Sequence, residues 1–179
     1  DQLTYKNLLR NVRFEVNQIL SDQNLKVLGI TCLHPEKFKA FSVMSLVYAF
    51  ARLDKQILVI GDEDVAAEMH KLNIPTNQSL ITVLEKSTIH KNNRITFLNK
   101  DLGGLSLLEN KDNVSVGQVF ESLKNEFDLV IVYLDPLNLV SDVNEWILFV
   151  DKYVATFMAG GSINSRDKES IAQLNEDDK

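Results

Sequence analysis

The sequence predicts an α/β fold of three layers, in which a mainly parallel sheet lies between two layers of helices. Short runs rich in branched apolar residues alternate along the chain with segments of helical periodicity. This alternation is typical of parallel strands that are joined by crossover helices. The chain has 179 residues, of which 45% are hydrophobic and 25% are charged, so it can enclose one substantial core. We therefore expect residues 1–179 to form a single domain.

The first half of the chain predicts two strands and four helices. Residues 3–20 carry apolar side chains at helical spacing, so an N-terminal helix is expected within residues 1–22. The unbroken apolar run at 26–33 is typical of a strand that is buried on both faces. After it we expect a mostly apolar helix, a second strand, a short helix and a helix with a polar cap, at residues 39–53, 56–62, 64–72 and 77–86.

The second half continues the same alternation. Strands are expected at 94–99, 128–134 and 153–159, and helices at 115–126, 142–150 and 165–174, followed by a frayed tail at 175–179. Parallel α/β sheets bind their ligands at the carboxyl ends of the strands. The segments after Leu33, Ile60 and Leu134 are therefore the expected place for a functional site.

The composition argues against several classes of function. A net charge of −6 disfavours a nucleic-acid partner, because such surfaces need clustered Lys and Arg. The single Cys32 excludes an internal disulfide, and His34, His70 and His90 have no ligand spacing, so we expect no metal site. No apolar run reaches the roughly 18 residues of a membrane-spanning helix. We expect the chain itself to be soluble.

The segment after the first strand has the position of a phosphate-binding loop but lacks glycine. It reads PEKFKAF at 35–41, and no glycine occurs between Gly29 and Gly61. In a G-x-x-x-x-G-K-[ST] loop the glycines let backbone N–H groups converge, the lysine offsets phosphate charge and the hydroxyl binds magnesium. We expect Lys37 and Lys39 to be solvated loop lysines that attract an anion only weakly.

Five further segments are informative together: they read YKNLLRNVRF (5–14), QSLITVLEK (78–86), ITFLNKDLGGLSLLEN (95–110), FDLVIVYLDPLNLVSDV (127–143) and VDKYVATFMAGGSINSRD (150–167). In this order they resemble the cytosolic domain of bacterial tyrosine kinases, which work with membrane chain-length regulators of capsular and exopolysaccharide export. The resemblance implies a P-loop NTPase-like fold. It also implies a nucleotide site at residues Pro35, Glu36, Lys37, Phe38, Lys39, Ala40, Phe41, Asp62, Glu63, Tyr133 and Asp135.

Three nucleotide-contacting segments depart from the pattern of this family. The loop of this family reads P-G-E-G-K-S-T, and Pro35 and Lys39 match it. Glu36 and Phe38 replace its two glycines. Ala40 and Phe41 replace its two hydroxyl residues. In the family's acidic strand, Gly61 replaces the first aspartate and Glu63 falls at the second, although Asp62 or Asp64 could substitute.

The third departure lies in the segment IVYLDP (131–136). Tyr133 replaces the family's aspartate there, and Asp135 follows two residues later. Two residues along a strand keep the same face but move the carboxylate about 7 Å. A carboxylate at Asp135 is therefore poorly placed to replace the missing one.

These departures predict a catalytically inactive, degenerate kinase domain that serves as a regulatory or docking module in capsular or exopolysaccharide production, without a cofactor. One alternative is an active ATP- and Mg²⁺-dependent tyrosine kinase or ATPase that uses Lys39, Asp62 or Glu63, and Asp135 as displaced ligands. Another is an adaptor similar to the MinD and ParA proteins on the same fold.

The resemblance also implies partners and a location. We expect the domain to work with the polysaccharide export or polymerisation machinery, or with a membrane-spanning region of its own protein, at the cytoplasmic face of the bacterial inner membrane. The family's subunit-ring motif on the first helix corresponds here to Leu3, Lys6 and Leu9, so a homo-oligomer is possible but two of its three positions have changed.

Overall fold

The computed structural model describes residues 2–22, 24–33, 39–137, 143–156 and 163–176. Five parallel strands form one sheet in the order β3-β2-β4-β1-β5. The strands are β1 (Val27–Cys32), β2 (Ile57–Gly61), β3 (Ile95–Asn99), β4 (Leu129–Tyr133) and β5 (Lys152–Thr156). The helices are α1 (Gln2–Asp22), α2 (Lys39–Ala51), α3 (Glu63–Lys71), α4 (Leu80–Lys86), α5 (Leu107–Asn110), α6 (Asn113–Glu126), α7 (Val143–Ile147) and α8 (Ser165–Glu176).

The two faces of the sheet are covered by different helices, which confirms the three-layer prediction. Successive strand residues alternate between two apolar clusters, as the period of two requires: Leu58 packs with α4 and α6, whereas Val59 packs with α2 and α3. The three central strands are buried throughout. Their uniformly apolar sequences follow from this burial on both faces.

Helix α5 is an element that the periodicity did not predict. It has a capping box, in which the Ser106 hydroxyl accepts from the backbone N–H of Glu109 and the Glu109 carboxylate accepts from that of Ser106. The sequence signal S-x-x-E was present but four residues are too few to show a helical period. Helix α6 begins two residues earlier than expected because Asp112 caps it.

The C-terminal elements also differ slightly from their predicted bounds. Helix α8 continues to Glu176, two residues beyond its predicted end at 174. The fraying of residues 175–179 stays a prediction. Strand β5 ends at Thr156, and the remaining predicted strand residues, 157–159, lie outside the described part of the chain. None of the described helices is long and apolar enough to cross a membrane.

The parallel register brings the carboxyl ends of the strands to one edge. Gly61 of β2 pairs with Asn99 of β3, and Ile30 of β1 pairs with Tyr133 of β4. At the opposite, amino-terminal edge, the Asp151 carboxylate accepts from the backbone N–H of Lys26 and Val27 at 2.9 and 2.8 Å. The residues that follow the strands at the carboxyl edge are therefore neighbours in space.

Candidate functional site

Lys39 is the first residue of α2 and is almost fully buried, with 2% of its surface exposed. Its ammonium donates to the backbone carbonyl of Leu134 and lies 4.0 Å from the centre of the Tyr133 ring. The prediction of a solvated lysine is therefore wrong for Lys39, because the apolar helix α2 packs against the sheet and carries the lysine inward. Burial lowers the pKa of Lys39.

Tyr133 ends β4 at the position where the family resemblance implies a carboxylate, and it is buried. Its ring replaces water around the Lys39 ammonium by a cation–π contact. Burial, with a smaller effect of the Asp62 charge, raises the pKa of the Tyr133 phenol well above its ordinary value. The phenol is therefore neutral at physiological pH and does not supply the negative charge of an aspartate.

Lys100 is a site residue that the sequence reasoning missed. It follows β3, and its ammonium forms an ion pair of 2.8 Å with Asp135 and lies 5.7 Å from the centre of the Tyr133 ring. Only 13% of its side chain is exposed. The signal was available, since the polar run Asn99–Asp101 begins at the last residue of β3 and continues past the carboxyl end of this strand.

Asp135 lies on the loop after β4 rather than on the strand itself. Its backbone carbonyl accepts a hydrogen bond of 2.7 Å from the Thr31 hydroxyl, which fixes the loop to β1. Its carboxylate faces Lys100. The structure thus brings Asp135 into the same site as Lys39 and Tyr133, as the sequence predicted, but with a lysine as its partner.

The end of β2 contributes Asp62 and Glu63. Asp62 caps α3, accepting from the backbone N–H of Asp64 at 3.1 Å and of Val65 at 3.2 Å, while Glu63 is exposed. A Cβ atom at Gly61 would lie 2.8 Å from the Cβ of Val65. Glycine at this position therefore has a packing reason, because α3 lies too close to the strand for a side chain.

A cleft of about 360 Å³ lies beside these residues. Its walls come from the ends of β2 and β3, the loop after β4, the loop at 100–106 and Trp146. The polar groups along it are those of Asp62, Glu63, Asn99, Lys100, Asp101 and Asp135. The cleft opens at the carboxyl edge of the sheet, where folds of this class bind ligands.

The other predicted site residues lie in different parts of the structure or outside its described part. Residues Pro35, Glu36, Lys37 and Phe38 lie outside the described part of the chain. Ala40 is buried, whereas Phe41 is 50% exposed and stacks on Tyr5 of α1 at a centroid distance of 6.3 Å. On α1, Leu3 and Lys6 are exposed and Leu9 is half-buried. The predicted homo-oligomer therefore stays a prediction.

Three of the residues at the metal positions of the resemblance do not fit Mg²⁺. This ion prefers oxygen ligands from carboxylates and hydroxyl groups, and these three positions hold Ala40, Gly61 and a neutral Tyr133. Glu63, at the family's second aspartate, is an exposed carboxylate. Within residues 2–22, 24–33, 39–137, 143–156 and 163–176, no cluster of three His, Cys, Asp or Glu side chains is arranged to hold a metal.

Comparison with solved structures identifies the fold. No family model and no curated protein matches the sequence. The VpsO kinase domain superimposes with a TM-score of 0.74 at 16% identity, covering 100% of this chain and 93% of that one. The kinase domain of the Escherichia coli tyrosine kinase ETK gives a TM-score of 0.73 at 18% identity, covering 94% of this chain and 69% of that one. The predicted resemblance to bacterial tyrosine kinase domains is confirmed at the level of the fold.

More distant proteins share the same architecture. A plasmid partition protein from Borrelia burgdorferi matches with a TM-score of 0.53 at 14% identity, covering 85% of this chain and 72% of that one. The predicted P-loop NTPase-like class is thereby confirmed.

The prediction that the chain is not an enzyme is wrong on this comparison. Several solved structures that share its fold are kinase domains, which are enzymes. No described residue shows positively that catalysis has been lost. The substitutions that led to the prediction affect the residues that would contact a nucleotide. They do not by themselves show that the chain is inactive.

Proposed function

We propose that this chain is a kinase-like regulatory domain of capsular or exopolysaccharide production, and that it binds ATP at the carboxyl edge of its sheet. The observation that carries the proposal is the convergence of Lys39, Lys100 and Asp135 around Tyr133, beside an open cleft. Phosphate groups bind at the start of the helix that follows the first strand in this fold class, which is where Lys39 lies.

Binding of the ATP phosphates by Lys39 requires a structural change, and such a change is what a regulatory domain needs in order to respond to its ligand. The Lys39 ammonium is occupied by the Leu134 carbonyl and the Tyr133 ring. A phosphate that recruits Lys39 must compete with both contacts, so the first turn of α2 shifts on binding. Helix α2 packs against α1 and α3, and the shift would be passed to the exposed surface of α1.

The proposed partners follow from the segments that resemble bacterial tyrosine kinases. They are the polysaccharide export or polymerisation machinery, or a membrane-spanning region of the same protein, at the cytoplasmic face of a bacterial inner membrane. The segments at 5–14 and 127–143 favour this setting over a free adaptor. Co-purification of the full protein with its export complex, in the presence and absence of ATP, tests this part of the proposal.

The ATP-binding part is tested by calorimetric titration of ATP into the purified chain, with phosphate release measured in parallel. Lys39→Met keeps the buried stem but removes the ammonium, and it should weaken binding roughly tenfold to a hundredfold, as expected for a lost charged hydrogen bond. Lys71→Met is the matched control, because Lys71 lies exposed at the end of α3 and pairs only locally with Glu68. A folded wild-type chain that binds no ATP would contradict the proposal.

A further inference from the structure

The solvent-facing surface of α1 combines large apolar side chains with cations. We infer that this surface docks on the anionic lipid surface of a membrane. Leu3 and Phe14 insert between the lipid headgroups, and Lys6 and Arg10 pair with the lipid phosphates. The inference goes beyond the proposed function, because it concerns a different surface of the molecule and needs no nucleotide.

Large apolar side chains are exposed along the N-terminal part of α1. Leu3 and Phe14 are each 64% exposed, and Leu8 is 57% exposed. Val16 and Leu20, nearer the end of the helix, are buried and attach it to the core. Exposed apolar side chains that gather on one element of a folded domain are typical of a surface that contacts a partner or a membrane.

Leu3, Lys6, Arg10 and Phe14 lie on one face of α1 and are all exposed. At about 100° per residue, the four fall within an arc of about 80°. We call them the α1 stripe. Glu15 follows Phe14 directly but projects about 100° farther around the helix. The stripe therefore combines apolar and cationic side chains without a carboxylate among them.

The charge around the α1 stripe is opposite in sign to that of the whole chain. None of the 25 carboxylates falls within residues 2–14 or 39–53, which hold most of α1 and all of α2. Five cations fall there, of which only Lys39 is buried in the core. The next carboxylate, Asp54, is paired with Arg94 at 2.6 Å. In a chain of net charge −6, this surface is complementary to an anionic partner.

A lipid surface fits the α1 stripe better than a second copy of the chain does. A helix of 21 residues is about 30 Å long and about 10 Å wide, so its outer face offers roughly 300 Å². A stable protein interface buries about 800 Å² on each partner. Two copies facing each other through the stripe would also bring their cations together. A bilayer needs only a few inserted apolar side chains with cations beside them.

The experiment is co-sedimentation of the chain with vesicles of phosphatidylcholine alone and with vesicles that also contain about 30% phosphatidylglycerol, an anionic lipid. We expect binding to the anionic vesicles only. This binding should weaken several-fold when NaCl is raised from about 0.1 M to about 1 M, because the Debye length falls from about 10 Å to about 3 Å.

Two substitutions in the α1 stripe separate the charged contribution from the apolar one. Arg10→Gln should weaken binding to the anionic vesicles about fivefold, as expected for one cation near an anionic surface. Arg10→Lys keeps the charge and should bind like the wild type. Phe14→Ser should weaken binding about tenfold, because the ring no longer inserts.

The matched controls lie on other helices. Lys71→Gln removes an exposed cation from α3, and Val114→Ser removes an apolar side chain that is 70% exposed on α6. Both controls should bind the anionic vesicles like the wild type. Circular dichroism establishes that every variant is folded. A loss that the controls share with Arg10→Gln and Phe14→Ser would overturn the inference.

The remaining outcomes also decide the inference. Absence of binding, equal binding to both kinds of vesicle, or binding that Arg10→Gln and Phe14→Ser leave unchanged overturns it. Light scattering tests the second copy as the occupant: a dimer without vesicles that Phe14→Ser dissociates would also overturn it. All of these measurements are made without ATP, so their failure leaves the proposed nucleotide site standing, and absence of ATP binding leaves the lipid result standing.

Discussion

Replacing Gly61 by alanine tests whether helix packing explains the glycine at the end of β2. The added Cβ would lie 2.8 Å from the Cβ of Val65 and 3.0 and 3.1 Å from its two methyl groups. Val65 is fully buried, so it has little room to move. Overpacking of this kind lowers the free energy of unfolding by about 1–3 kcal/mol. A Gly→Ala change also reduces the conformational entropy of the unfolded chain, which raises the free energy of unfolding by at most about 1 kcal/mol. We expect a net loss of about 1–2 kcal/mol.

The assay is urea unfolding followed by circular dichroism, applied to a double-mutant cycle. Val65→Ala alone should cost about 2 kcal/mol because it leaves a cavity. In the double variant the methyl group of Ala at position 61 fills part of that cavity. The double variant should therefore lose at least about 1 kcal/mol less stability than the sum of the losses in the two single variants.

The control for this cycle is Gly117→Ala in α6. The nearest atom to its added Cβ is a ring carbon of Phe149 at 3.9 Å. An ordinary contact of this length leaves the helical preference for alanine intact, and the control should gain roughly 0.5–1 kcal/mol. Additive effects of Gly61→Ala and Val65→Ala, or a Gly61→Ala variant as stable as the wild type, would refute the packing explanation.

Three further changes test the remaining contacts. Tyr133→Leu should lower the free energy of unfolding by about 2 kcal/mol in urea melts, and Tyr133→Phe by less, because only phenylalanine keeps a ring beside Lys39. The pKa of Lys39 is lowered in the folded state from 10.5, so the unfolded chain binds the ammonium proton more tightly than the folded chain does. The stability of the wild type relative to Lys39→Met should therefore rise as the pH of the melt increases towards 10.5. Asp151→Ala should cost about 2 kcal/mol or more in thermal melts, because it leaves the N–H groups of Lys26 and Val27 without their acceptor and removes one of the two carboxylate partners of the Lys124 ammonium.

The helices and strands could be predicted because their signals are local. The strand runs at 26–33 and 128–134 are apolar at every position, which follows from burial on both faces of a parallel sheet. Helix α5 was missed because a helix of four residues shows no period, although its capping box was visible in Ser106 and Glu109. The order of the strands also required the structure, since periodicity does not state which strands are neighbours.

The candidate site was predicted only in part. The sequence placed Lys39, Asp62, Tyr133 and Asp135 near one edge, because each follows or ends a predicted strand or begins a helix. It missed Lys100, whose importance comes from Asp135, a residue 35 positions away in the chain. It also treated Lys39 as a solvated lysine, because nothing in its neighbours along the chain states that the Tyr133 ring lies beside it.

The sequence alone determined the class of fold and the loss of glycines and hydroxyl groups from the phosphate-loop segment, because periodicity and residue identity are properties of the chain itself. The tertiary structure decided what the substituted residues do. It placed Lys39 against Tyr133, paired Lys100 with Asp135, and closed the space at Gly61 with Val65. The reason is that burial, charge pairing and steric exclusion depend on distances between residues far apart in sequence, and those distances exist only once the sheet and its helices have packed.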